Sequence, residues 1–270
     1  YRIIRAIQNL LVAPENPQLV IDKVAHQQTQ LVTTTITEKG YCLTNSEIAA
    51  DHQDIAKELI SLETPITIYG YLAAALIQRC NTNGTPLTVL CCDNVHAGGK
   101  FLQQGTLMLL KRHSPETLNW VVENVAFSSS MVDRVTPVTD HKLQDKVASQ
   151  LKVLDAAPVA TEPFSQWIIE NKFAAVRPPF DQVGAVFVDD IVPFERMKLR
   201  FLNAAHSMLA SLGYLLDDQF IHQALERPIL ARFTEGALRH NVLPATLVPD
   251  GFNGEIYIEQ VLERFQNASL

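Results

Sequence analysis

TPITIYGYLAAALIQRCNTNGTPLTVLCCDNV, residues 64–95, decides the fold. Its first residues read as a strand edge running into an alanine- and leucine-rich helix, which the Asn-Thr-Asn-Gly run 81–84 punctuates. PLTVLCC then reads as a strand buried on both faces. Strand, helix and strand in this order imply a parallel sheet with helices on its faces.

The same theme extends in both directions. LVTTTITEKGY (31–41) is a β-branched strand leaving into a loop, and GAVFVDDIVPF (184–194) holds a further strand-like run. TLNWVVENVAFSSSMVDRVTP (117–137) reads as a helix, a short strand and a polar loop that takes in Ser128 to Ser130. From about Pro193 only helices are expected: 194–216, 218–240 with a break at Pro228, and 254–266. The expected division is an α/β domain over 1–190 and a mostly helical domain over 191–270, with Asp189, Asp190 and Pro193 as punctuation. Residues 1–11, YRIIRAIQNLL, read as an amphipathic helix without a preceding strand, and LERFQNASL closes without a stop signal. Both domains are therefore expected to be partial.

Composition excludes several classes. The 270 residues are 47% hydrophobic and 19% charged, which is globular, and the net charge is −7. No Lys/Arg cluster interleaves with aromatics, so no nucleic-acid partner is expected. No apolar run reaches the roughly 18 residues of a membrane helix, and Arg5 interrupts any signal-like apolar region. Cys42, Cys80, Cys91 and Cys92 form no CxxC, which fits reduced thiols in a cytoplasmic protein. Neither HExxH nor paired Cys/His spacing is present, so no metal is expected. GxSxG and GxGxxG are also absent.

The chemistry concentrates in FERMKLRFLNAAHSMLASLGYLL, residues 194–216. On a regular helix, with Lys198 at the origin, Glu195, Asn203 and His206 fall at roughly 60°, 140° and 80°. Arg200 lies off this arc, as an ordinary solvated or packing charge. A lysine in so apolar a helix is desolvated, its proton affinity falls, and it becomes able to take the hydroxyl proton of an alcohol. An amide such as Asn203 can donate to the developing oxyanion, and His206 can hydrogen-bond a substrate hydroxyl. The structural alternative is a snorkelling lysine, a helix-bridging asparagine and a satisfied core histidine.

KLRFLNAAH (198–206) matches the K-x4-N-x2-H pattern of the mannitol dehydrogenase family, the polyol-specific long-chain dehydrogenases. TITEKGYC (35–42), CDNVHAGG (92–99), FSSSMVDRVTP (127–137), TEPFSQWIIENKF (161–173) and RPPFDQVGAVFVDDIVPFERMKLR (177–200) accompany it in that family's order. The chain is similar to the family over nearly its whole length.

The resemblance implies a Rossmann-like N-terminal domain, here without its first strand and Gly-rich loop, followed by a mostly α-helical C-terminal domain. It implies Lys198 as general acid/base, Asn203 and Asn94 as oxyanion donors, His206 as a substrate contact and Glu195 as a group tied to proton exchange. Asp133, Thr37, Glu38, Lys39 and Asn94 would lie on the cofactor side. The cofactor implied is NAD, with NADP equally compatible with the residues read here. The reaction implied is metal-independent interconversion of a hexonate or polyol with its ketone. The fructuronate reductase branch (D-mannonate to D-fructuronate) is placed first, and oxidation of D-mannitol to D-fructose is the alternative. A small sugar acid or polyol is the expected partner, acted on by a monomer or homodimer. The missing phosphate loop leaves a second class open, a non-catalytic member of the family.

Overall fold

The computed structural model describes residues 2–268. In chain order it begins with α1 (Pro17–Ala25), β1 (Leu31–Thr34), α2 (Thr37–Gly40), the paired β2 (Leu43–Thr44) and β3 (Glu47–Ile48), α3 (Gln53–Glu58) and α4 (Ile68–Thr82). β4 (Leu87–Cys91), α5 (Gly98–His113), α6 (Thr117–Asn124), β5 (Val125–Asp133), α7 (His141–Leu151), β6 (Gln166–Glu170) and β7 (Val186–Val188) follow. The remainder is helical: α8 (Val192–Lys198), a π-turn (Leu199–Asn203), α9 (Ala204–Tyr214), α10 (Ile221–Glu226), α11 (Pro228–Ala237), a second π-turn (Leu238–Val242) and α12 (Gly254–Phe265).

The chain forms two compact units. The first runs to Met131 and takes in Ile168–Asp189; the second comprises Val132–Trp167 and the chain from Asp190 onward. A single division at 190 does not contain the grouping of Val132–Trp167 with the helices. The cause is chemical, since Asp133 and Glu162 in that segment are ion-paired to Arg264 of α12.

The first unit is built on a sheet of order β1-β4-β5-β6-β7. β1 and β4 are parallel with Thr34 opposite Cys91, β4 and β5 are parallel with Cys91 opposite Ser129, and β6 is parallel to β7. β4 is buried at every residue, as a central strand covered on both faces must be. Its core joins Leu72 and Leu76 of α4, Val89 of β4 and Leu102 and Leu109 of α5. α5 crosses α4 closely because Gly105 has no side chain: a Cβ there would stand 2.4 Å from Tyr69 Cδ1. The second unit has its own core of Met197, Phe201, Leu209, Leu225, Ile258 and Val261.

Three expectations are corrected. Ser128 to Ser130 form no loop but lie buried inside β5. Their hydroxyls fit a central strand because each is bonded: Ser128 donates to the Lys172 carbonyl, Ser130 to the Cys91 carbonyl at 2.8 Å, and Ser129 Oγ accepts the Gly99 N–H at 3.1 Å. No strand runs directly into α4. The Glu58 carboxylate accepts the N–H groups of Ile66 (2.6 Å) and Thr67 (2.7 Å), the donors that a ladder would have used. Thr67 then caps α4 by accepting the Gly70 N–H. A strand not expected from the sequence, β6, forms at QWIIE, with Ile168 and Ile169 buried.

Residues 2–11 form no helix. Ile3, Ile4, Ile7 and Leu10 are exposed, and a helix this short is marginal without a surface to bury against. Of the closing run 262–270, Ser269 and Leu270 lie outside the described residues.

Candidate active site

Two clusters of polar groups stand out, one in each unit. In the first unit, β1 and β4 end side by side, and each runs into a short polar segment. Asp93, buried just beyond β4, accepts the Thr37 N–H at 2.9 Å through one carboxylate oxygen and the Tyr41 hydroxyl at 2.8 Å through the other. The Tyr41 oxygen also lies 3.0 Å from Cys91 Sγ. Thr37 sits in the left-handed region at φ 63°, and the bond to Asp93 helps to hold that conformation. Thr37, Glu38, Lys39 and Asn94 are thereby gathered as exposed groups on a buried anchor at the carboxyl edge of the sheet. In open α/β sheets this edge is where ligands bind.

In the second unit, the helix through Lys198 is interrupted by its π-turn. The Ala204 N–H bonds back to the Leu199 carbonyl, five residues earlier. One extra residue is thus absorbed in the turn, and everything after it is rotated back by roughly 100° relative to a regular helix. Asn203 then falls at about 40° and His206 at about −20° from Lys198, so the arc expected from the sequence narrows to about 80°. The observed burial varies along this face. Glu195 (6% exposed) and Lys198 (8%) are buried, Asn203 is half-buried, and His206 is exposed. Arg200 is exposed and donates to the Ala245 carbonyl.

Lys198 Nζ donates to the Val132 carbonyl at 2.6 Å. Burial pushes its ammonium below the ordinary lysine range, against the pull of the Asp133 carboxylate and with the push of the Arg264 guanidinium. Asp133 is itself held on both oxygens by Arg264, at 2.8 and 2.9 Å, and receives the Tyr257 hydroxyl at 3.3 Å. The alternative of a local pair with Arg134 is not what forms: Arg134 donates to the Glu162 carbonyl instead. Phe164 packs its ring 4.1 Å beneath the Arg264 guanidinium.

His206 stacks edge-on against Phe265 at 5.9 Å and opens onto a cavity of about 420 Å³. Leu209, Tyr214, Phe220 and Arg264 also line it.

Lys198 and Asp133 are therefore brought together in one unit, and Thr37–Lys39 and Asn94 in the other. The sequence reading missed Asp93, Glu162, Tyr257 and Arg264. A signal existed for the last two: seven residues apart, they share a helix face with Ile258, Val261 and Phe265, where a charge demands a partner. Among the described residues, no three His, Cys, Asp or Glu side chains gather as a metal-binding set, and no helix is long and apolar enough to cross a membrane.

A parallel sheet flanked by helices, continued by a helical unit, defines a Rossmann-like two-part chain. Residues 1–182 match the mannitol dehydrogenase Rossmann domain and residues 190–270 the mannitol dehydrogenase C-terminal domain. The chain belongs to the mannitol dehydrogenase family.

Mannitol 2-dehydrogenase of Phaeosphaeria nodorum is 37% identical over 274 residues, covering 100% of this chain and 48% of that protein. The Aspergillus oryzae mannitol 2-dehydrogenase is 35% identical over 275 residues, covering 99% and 55%. Among solved structures, Pseudomonas fluorescens mannitol 2-dehydrogenase in ternary complex with NAD and D-mannitol superposes with a TM-score of 0.90 at 33% identity, over 98% of this chain and 54% of that one. D-sorbitol dehydrogenase in substrate-free form gives 0.86 at 32%, over 95% and 54%. The chain spans about half the length of the curated relatives it matches.

The exposed donors at the sheet edge, the Lys39 ammonium and the Asn94 amide among them, suit the polar groups of a nicotinamide dinucleotide. Thr37 and Glu38 offer a hydroxyl and a carboxylate for ribose hydroxyls.

Proposed function

We propose that this chain carries the acid/base machinery of an NAD-dependent polyol 2-dehydrogenase that interconverts D-mannitol and D-fructose. The observation that carries the reading is Lys198, a buried amine with lowered proton affinity on the K-x4-N-x2-H helix. The polyol is favoured over the hexonate expected first from the sequence, because the relatives at 35–37% identity named above are mannitol 2-dehydrogenases.

In the oxidation direction, neutral Lys198 takes the proton of the substrate hydroxyl as the hydrogen on the same carbon leaves as hydride, with the electron pair of its C–H bond. NAD, when bound, supplies the hydride acceptor. Asn203 donates to the oxygen as it becomes a carbonyl, and Asn94 is proposed as a further amide donor to substrate. His206 hydrogen-bonds a neighbouring hydroxyl, and Glu195 exchanges the proton with solvent. Thr37, Glu38, Lys39 and Asp133 are proposed for the cofactor side.

The test is NADH formation at 340 nm by the protein carrying this chain, with D-mannitol, D-sorbitol and D-mannonate in parallel. Turnover fastest with D-mannitol is expected. Turnover confined to D-mannonate would restore the hexonate reaction, and NADH binding without turnover of any of the three would overturn the enzymatic reading.

A further inference from the structure

Two buried carboxylates in the helical unit share one guanidinium. Arg264 reaches Asp133 at 2.8 and 2.9 Å and Glu162 at 2.7 and 2.9 Å, and each of these three side chains is at most 7% exposed. Glu162 also accepts the Val135 N–H at 2.6 Å, which fixes the chain just after Asp133. Two acids and one arginine leave one negative charge unanswered in a medium where unanswered charge is costly. Lys198 stands beside this cluster, its Nζ on the carbonyl of the residue before Asp133. An ion cluster of this kind is a poor device for stability, since apolar residues of similar volume serve as well or better. Its geometry suits a different task, holding a carboxylate and a carbonyl in fixed positions beside an amine.

We propose that Glu162 and Arg264 are positioning residues for the acid/base lysine, fixing the Asp133 carboxylate and the Val132 carbonyl against which Lys198 Nζ is set. The inference rests on Lys198 being the acid/base group. Arg264 does two things at once. It occupies both oxygens of Asp133, so that the carboxylate does not close on Lys198 as a direct ion pair, and it adds a positive charge that favours the neutral amine. Glu162 holds Arg264 in place and offsets part of its charge. The charged and titratable groups around this cluster are Asp133 at the end of β5, Arg134 just after it, Glu162 before β6, Tyr257 and Arg264 on α12, and Glu195 on the lysine's own helix.

The two positioning residues should move Lys198 in opposite directions. Arg264→Met removes a positive charge and frees Asp133, which raises the pH at which Lys198 loses its proton by about one unit. Glu162→Gln removes a negative charge but keeps the shape, and lowers that pH by about half a unit. The measurement is the pH dependence of Lys198 acetylation by acetic anhydride in cofactor-free protein, read by peptide mass spectrometry. Circular dichroism establishes that each variant is folded. Opposite shifts support the proposal, whereas a wild-type profile in either folded variant, or shifts of the same sign, overturn it. Should Arg264→Met not fold, Glu162→Gln decides alone, by a downward shift or its absence. The labelling needs no turnover, so a failed polyol assay would reject the proposed reaction without touching this result.

Discussion

Lys198 Nζ lies 2.6 Å from the backbone oxygen of Val132 and donates a hydrogen bond to it. A carbonyl does not titrate, so this acceptor holds the nitrogen in place whether it is charged or neutral. The amine can therefore lose and regain a proton without losing its position, as an acid/base group requires.

Lys198→Met is expected to lower turnover by about 10³-fold while the NADH dissociation constant stays within about twofold. The lowered proton affinity also sets the sign of the pH profile. Alcohol oxidation rises, and ketone reduction falls, as pH passes upward through a value below the ordinary lysine range. That limb should vanish in the methionine variant. The folded state binds this proton less tightly than the unfolded chain, whose lysine titrates near 10.4. The lysine's contribution to stability is thus complete above that pH and is lost as pH falls through the folded value. At neutral pH its charge stabilises nothing, and a Tm within a few degrees of wild type is expected for the variant.

Asn203→Ala should reduce kcat by about 10²-fold with a smaller change in KM, since an oxyanion donor acts on charge that develops only in the transition state. Steady-state kinetics with D-mannitol checks this. A rise in KM alone would make Asn203 a uniform binding group.

Arg79 is fully buried and donates to five carbonyls: Thr85 (2.7 Å), Val24 (2.9 Å), His26 (2.8 Å), Thr29 (2.8 Å) and Pro86 (2.9 Å). Arg79→Met leaves all five without that donor, and a loss of at least about 3 kcal/mol is expected by urea denaturation. Lysine has three donors, so Arg79→Lys should recover only part of it.

Gly105→Ala sets helix propensity, which gains about 1 kcal/mol, against contact with the Tyr69 ring. That ring is buried and anchored by its hydroxyl on the Tyr41 carbonyl at 2.9 Å, so it has little room to yield. The net outcome expected in the same denaturation experiment is destabilisation by about 1–3 kcal/mol.

These residues also mark how far the sequence can be read. PLTVLCC declared its strand because a run buried on both faces needs no partner to be recognised. The long helices after Pro193 were legible through their apolar period. Ser128 to Ser130 were misread because their place in β5 depends on acceptors at Lys172 and Cys91, 44 and 39 residues away in sequence. Arg79 likewise depends on the carbonyls of Val24, His26 and Thr29, which lie 55, 53 and 50 residues away in sequence. At the candidate site, Lys198, Asn203 and His206 were visible as a local pattern. For Arg264 the helix face marks a buried charge but not its partner, because Asp133 lies 131 residues earlier.

The π-turn at Leu199–Asn203 makes residue count and helical turn count two different rulers. By count, Asn203 stands five places from Lys198, a spacing that on a regular helix would turn it well away. By turns, it occupies the place of a fourth neighbour and His206 that of a seventh, the two offsets that share a helix face. Deleting one residue within 199–203 would therefore close the turn into a regular helix and leave the three side chains aligned. Inserting one would dephase them. A relative could break the K-x4-N-x2-H spelling by one deletion and still keep the same face in space.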